Sequence, residues 1–278
     1  MPYPGLSLVG FMDQAEAVTH LKTACIPANP ADAALIAEWQ TARANLGAPV
    51  ANAGAPDIQQ IPAAHANHVQ QLSQLPWVAQ ALQTTCIGAD FRLVEIDPLL
   101  AFQFTVNTAR ANHHCGSLSN PPTMQELLDC CLPLTPPQEN YDWQRQPQSI
   151  IIKSKSLNLI TRGQGLFNDA AGIIFGSTLP LVHVVRFNNA CYLHNGFHRA
   201  FGARIAGATH VPCMFRDVAT AEAVGIRTGA GTFSTALLTS ANPPTVGHFS
   251  QGRAHNVTLR ELTRIIHVSW SEYTLYNE

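Results

Sequence analysis

The sequence is poor in charge. Only 12% of its 278 residues are Asp, Glu, Lys or Arg, and no basic run occurs. Lys+Arg number 16, Asp+Glu number 18, and the formal charge is −2. A general nucleic-acid binder needs excess positive charge to displace counterions from phosphates. That role is disfavoured, although one local basic site is compatible with the balance. No stretch has the length of apolar sequence that spans a membrane. The start, Met1-Pro2-Tyr3-Pro4, lacks the basic residues and apolar run of a signal peptide. Cysteine is present without a pattern. Cys25, Cys86, Cys115, Cys130, Cys131, Cys191 and Cys213 are odd in number, and no Cys-x-x-Cys pair occurs. Neither a disulfide framework nor a zinc ribbon is expected. The combined expectation is a soluble protein in the reducing cytoplasm.

What is present is apolar. Hydrophobic residues make up 46% of the chain, enough to bury a real core. A surface so nearly neutral invites a protein partner or self-association, because little charge keeps molecules apart.

The composition shifts along the chain. Residues 1–90 are rich in Ala, Gln and Asn and poor in β-branched residues, and read as a helical extension that does not join a sheet. Ala31–Ala44 and Val69–Gln83 are its candidate helices, the second interrupted by Pro76. Gly47–Ala63, with its prolines and glycines, reads as an exposed linker. Residues 91–217 alternate between strand and helix patterns. Phe91–Ile96 reads as a strand ended by Asp97-Pro98, Met124–Cys131 as a short amphipathic helix, and Pro133–Pro147 as a loop. Ser149–Lys153 is a short strand, with Leu157–Ile160 a candidate for another. Residues 218–278 form an appendage ending in a helix or strand over Thr258–Ile266 and an alternating segment at His267–Leu275.

Leu181–Phe215 is the most informative stretch. Leu181–Phe187 and Ala190–His194 are apolar runs separated by Asn188-Asn189. Asn tolerates the positive φ of a tight hairpin turn, so the runs should be antiparallel neighbours. A helix then opens with Asn195 as its N-cap. Phe197, Phe201 and Ile205 recur every fourth residue and should form one buried stripe. Gly207 ends the helix. Val211–Phe215 follows as a strand, with Pro212 pointing to an edge or first-residue position.

The strand-to-helix corner carries a chemical argument. The first N–H groups of a helix lack partners, and the macrodipole adds roughly half a positive charge there. Gly196 lets an anion approach the backbone. His198 and Arg199 lie in the first turn, where positive charge opposes the dipole, and Arg199 lies off the aromatic stripe. A local rule broken in this way marks a functional site. The alternative is an Arg that is solvated or paired with a carboxylate.

His194-Asn195-Gly196-Phe197-His198-Arg199, with Ala200–Gly207 and Thr209-His210-Val211-Pro212 after it, resembles the ParB/sulfiredoxin superfamily. A fainter likeness runs through Val94-Glu95-Ile96-Asp97-Pro98-Leu99 and Gln103. The resemblance implies an α/β (α+β) fold with a small mixed sheet, flanked by the N-terminal extension and the C-terminal appendage. It implies that Asn195, Gly196, His198 and Arg199 contact the phosphates of a nucleoside triphosphate, ATP or CTP, with Mg2+ as companion ion. Two departures narrow the chemistry. Phe197 stands where sulfiredoxin has its reactive Cys, which argues against sulfinic-acid reduction. It also stands where partition proteins carry Glu.

Three functional classes follow. The first is a nucleotide-dependent phosphotransferase or hydrolase with His198 and Asp97 as catalytic candidates. The second is a non-catalytic module sensing a nucleotide or a nucleic-acid end. The third is a nuclease. Lys153 and Lys155 either neutralise further phosphates or form a solvated strand edge. Asp97 and Asp169 either hold a metal, act as a base, or cap a helix. Arg162-Gly163-Gln164-Gly165 is a lid or a turn. His113-His114-Cys115 has adjacent ligands poorly placed for one tetrahedral ion, so no zinc is expected. His183, His194 and His210 read as core or sheet-face residues.

Overall fold

The computed structural model describes residues 2–135, 141–155, 159–167, 170–177, 179–224, 232–250 and 252–272, without the side chains of 160, 162–164, 166, 167, 170, 171 and 177. Its strands are β1 (Tyr3–Ser7), β2 (Ile58–Gln60), β3 (Asp90–Glu95), β4 (Thr105–Asn107), β5 (Asp142–Gln146), β6 (Ser149–Ser154), β7 (Leu159–Phe167), β8 (Ala170–Ser177), β9 (His183–Phe187), β10 (Ala190–Asn195), β11 (His210–Asp217), β12 (His255–Leu259) and β13 (Arg264–Ser269). The longer helices are α1 (Gln14–Thr23), α2 (Asp32–Ala44), α3 (Ala66–Gln74), α4 (Pro76–Thr84), α5 (Thr108–Cys115), α6 (Met124–Cys131) and α7 (Phe197–Ile205). The chain is a mixed α/β protein, and no helix among the described residues is long and apolar enough to cross a membrane.

Two compact units emerge: Met1–Thr135 with Pro180–Arg260, and Pro136–Leu179 with Glu261–Glu278. These divisions do not follow the compositional boundaries at 90 and 217. The first unit holds a five-stranded sheet in the order β10-β9-β11-β3-β2 and a three-stranded sheet in the order β12-β1-β4. The second holds β13-β6-β5 and the hairpin β7-β8.

The central hairpin forms as its sequence dictates. β9 and β10 pair antiparallel, with Phe187 opposite Ala190. Asn188 and Asn189 turn the chain at φ values of 50° and 63°, the left-handed pair that matches strand twist in a two-residue loop. After α7, β11 returns parallel to β9 and antiparallel to β3. Val182, Val184, Leu193, Phe197, Phe201, Val211 and Phe215 close the core between sheet and helix. Each large apolar side chain buried there contributes about 1.5–3 kcal/mol.

Local chemistry explains other elements. Thr123 and Glu126 form a reciprocal capping box at the start of α6. Pro76 opens α4 at its first turn, where its missing N–H costs nothing. The interruption inside Val69–Gln83 is therefore the start of a second helix.

Six expectations need correction. Arg162–Gly165 is neither a lid nor a turn but lies inside β7, paired with β8. Residues 1–90 are not purely helical: β1 forms the middle of the three-stranded sheet and β2 an edge of the central one. Gly47–Ala63 is not a free linker. It contains β2, and Gly54 donates its N–H to the Pro98 carbonyl while its own carbonyl accepts from Cys191. Its β-poor composition misled because an edge strand needs backbone partners more than β-branched side chains. The Pro133–Pro147 loop contains β5, an edge strand paired with β6.

Pro212 lies in β11, the middle strand of five. Met214 donates its N–H to the Val182 carbonyl, and the β9 ladder begins at that residue. By alternation, the nitrogen of Pro212 faces the same side two residues before pairing starts, so no ladder bond is lost. Ile205 is exposed, whereas Phe197 and Phe201 are buried. Eight residues at about 100° each overshoot two turns by about 80°, and Ala200 and Ala203 take the inner face instead. Asp169 and residues 157 and 158 lie outside the described residues, as does the tail beyond residue 272.

Candidate functional site

The corner between β10 and α7 differs from its sequence expectation in one respect. Gly196, not Asn195, is the N-cap of α7, at φ 88°, and no side chain caps the helix. The Asn195 side-chain oxygen instead accepts the N–H of Gly196 at 2.9 Å. A Cβ on residue 196 would sit 2.7 Å from the Cα of Val182. Glycine is thus demanded by both the left-handed backbone and the packed strand behind it.

His198 is held by a neighbouring element. Its Nε2 lies 3.3 Å from the backbone nitrogen of Asn107 and accepts that N–H. The ring proton of the neutral form then belongs on Nδ1. Asn107 also caps α5, its side chain accepting the N–H of Arg110 at 2.9 Å. One residue thereby ties the start of α5 to the first turn of α7. Burial, followed by the charges of Arg110, His114 and Arg199, pushes His198 down to about 3. His114 is pushed down to about 4, chiefly by burial and then by Arg199. Both imidazoles are neutral near pH 7, so the charge around His198 is that of Arg110 and Arg199. Arg199 donates from Nη1 to the Pro180 carbonyl. That bond fixes the side chain and engages one of five guanidinium donors.

Sequence reading missed Arg110 and weighed His114 only as a zinc ligand. Their four-residue spacing places them on one face of α5, but nothing local says that α5 packs on α7. It also missed the sulfur cluster behind Arg199. Cys115 and Cys130 have Sγ atoms 2.8 Å apart, and Cys115 Sγ lies 3.6 Å from the Arg199 carbonyl.

The remaining candidates belong to other elements. Asp97 forms a two-pronged ion pair with Arg204 in the last turn of α7, Nε to Oδ1 and Nη2 to Oδ2, the latter at 3.3 Å. It serves the opposite end of the helix from His198. Lys153 and Lys155 belong to the second unit, where Lys155 pairs with Glu261 at 2.7 Å. His183 and His194 stack edge to face at 4.8 Å, and burial lowers both. His210 lies 3.4 Å from Asp57.

A groove of about 290 Å3 lies past the C-terminal end of α7, lined by Gln59, Pro121, Met124, Gly207 and His210 among others. Arg199 is not part of its lining. Set against known proteins, the chain matches no family model, no curated protein and no solved structure.

Proposed function

We propose that this protein binds the phosphate chain of a nucleoside triphosphate, ATP or CTP, at the first turn of α7. The observation that carries the reading is the start of α7, which no side chain caps, with Gly196 in left-handed backbone and His198 and Arg199 in the first turn. The Arg199 charge, the helix dipole and first-turn N–H groups then act together at that start, with the charge of Arg110 adding to the field from α5. The likeness of His194–Arg199 to the ParB/sulfiredoxin corner supports the same ligand. His198 supplies a neutral Nδ1–H donor rather than a charge. Asp97 is engaged by Arg204, so it does not fit as a Mg2+ ligand, and the ion would arrive on the triphosphate's own oxygens. The seven cysteines are free thiols, which suits a cytoplasmic protein.

Within that reading, binding without turnover is favoured over phosphotransfer or hydrolysis. A general base must reach the proton it removes. His198 Nε2 is occupied by a backbone N–H, and Asp97 is locked in an ion pair at the far end of the helix. The test is calorimetric titration with ATP and with CTP, each with and without Mg2+, alongside a phosphate-release assay. Saturable binding without phosphate release is expected. Release at a rate abolished by His198→Ala would restore the enzymatic reading, and no heat with either nucleotide would end both.

A further inference from the structure

Seven cysteines without a recognisable spacing gave no reason to pair any of them, but the fold brings three together. Cys115 ends α5, while Cys130 and Cys131 end α6. The Sγ atoms of Cys115 and Cys130 stand 2.8 Å apart, against about 2.05 Å in a disulfide. A small approach of one side chain would complete the bond. Cys115 is also pressed against α7: a Cβ at Gly202 would sit 2.7 Å from the Cβ of Cys115. Cys115 and Cys131 are buried, whereas Cys130 is only partly so.

The surroundings distinguish the two members of the pair. Both cysteines sit in the last turn of a helix, where the dipole opposes a thiolate. Cys130 gains more than it loses there. Hydrogen bonds from the Cys115 and Cys131 thiols, then the charge of Arg199, hold it well below the ordinary thiol range. The same contact pushes Cys115 up. Cys130 is therefore the member of the pair that gives up its proton more readily.

We propose that Cys115 and Cys130 form an oxidation-sensitive dithiol that a peroxide converts to an intramolecular disulfide. The Cys130 thiolate attacks one oxygen of hydrogen peroxide. The O–O bond breaks, a sulfur–oxygen bond forms, and hydroxide leaves, taking up the proton that Cys130 had released. Cys115 then attacks the sulfenic sulfur of Cys130. The sulfur–sulfur bond forms, and the Cys115 proton leaves with the hydroxyl as water. In sum two thiols lose two hydrogens and two electrons, and one peroxide becomes two waters. A dithiol reductant reverses the change. This chemistry needs no bound nucleotide.

The test uses the full chain and hydrogen peroxide as probe. After peroxide, free thiols are blocked and peptides are mapped without reduction. A Cys115–Cys130 linkage that dithiothreitol removes is expected. In Cys115→Ser, Cys130 should stop at the sulfenic acid and be trapped by dimedone. Linkage of Cys130 to Cys131 or to another chain would overturn the proposal, as would oxidation spread evenly over the seven cysteines. A measurement free of substitutions guards against misfolded variants. At pH 6, Cys130 in the folded chain should react with iodoacetamide about tenfold faster or more than the same residue in guanidinium. A slower reaction in the folded chain would mean a buried, inert thiol and would also overturn the proposal.

Discussion

The two ends of α7 treat their arginines in opposite ways. At the C-terminal end Arg204 complements the helix dipole and is matched by Asp97 through both carboxylate oxygens. At the N-terminal end Arg199 opposes the dipole, donates to a neutral backbone carbonyl, and has Arg110 for company around His198. The first end is electrostatically closed and belongs to the scaffold. The second sets positive charge on a helix start with no carboxylate paired to Arg199 among the described residues, as suits an anion site. Two arginines five residues apart on one helix thus differ in role because only one has a carboxylate brought to it.

The comparison breaks most severely at Gly196. Gly196→Ala forces a side chain into left-handed backbone and against the Val182 backbone at 2.7 Å. A loss of about 3 kcal/mol or more is expected in urea denaturation. A near-neutral result would show that β10 and α7 can separate at the corner.

Acid should come next. His198 and His114 ordinarily titrate at 6.5 but are held at about 3 and about 4 in the folded chain. The unfolded chain therefore takes up protons first as pH falls. The stability these groups contribute is complete above pH 6.5 and is lost as pH drops toward 4 and then 3, by up to about 1.4 kcal/mol per pH unit for each group. Denaturation midpoints from pH 7 to pH 4 should show this slope, and His198→Asn should flatten it.

Arg199→Ala tests the open end directly. Nucleotide affinity should fall roughly ten- to a hundredfold, because charge-assisted hydrogen bonds contribute about 1.5–3 kcal/mol each. Stability should change by about 1 kcal/mol, from the lost bond to Pro180. Calorimetry and thermal melting separate the two effects. A melting temperature that collapses while affinity is unchanged would make Arg199 a scaffold residue like Arg204.

Arg204→Ala should give the mirror image at the smallest scale. The pair with Asp97 is partly exposed, so about 1 kcal/mol of stability is at stake, and nucleotide affinity should stay the same. A matching fall in affinity would mean that the two ends of α7 are coupled and that the contrast between them is false.

Much of this architecture follows from local chemistry. The Asn188-Asn189 turn, the α6 span, the strand–helix–strand order and the burial of Phe197 and Phe201 each depend on residues within a few positions of one another. Turn geometry, capping and periodicity act over that range. Ile205 failed because the fourfold spacing drifts from the true helical repeat by the second turn. The strands β1 and β2 failed because backbone pairing with distant partners recruited segments whose own composition does not favour a strand.

The candidate site divides along the same line. Sequence alone determined the Gly196 corner and the unfavourable placement of His198 and Arg199 in a first turn, because both are properties of one short segment. Only tertiary structure decided that Asp97 goes to Arg204, that Arg110 and His114 reach His198, and that Cys115 meets Cys130. Those pairings join the end of β3, α5, α6 and α7, and they exist because the apolar faces of these elements must share one core. A side chain's own sequence sets its charge and its face on the helix; which charge it meets is set by the packing of everything else.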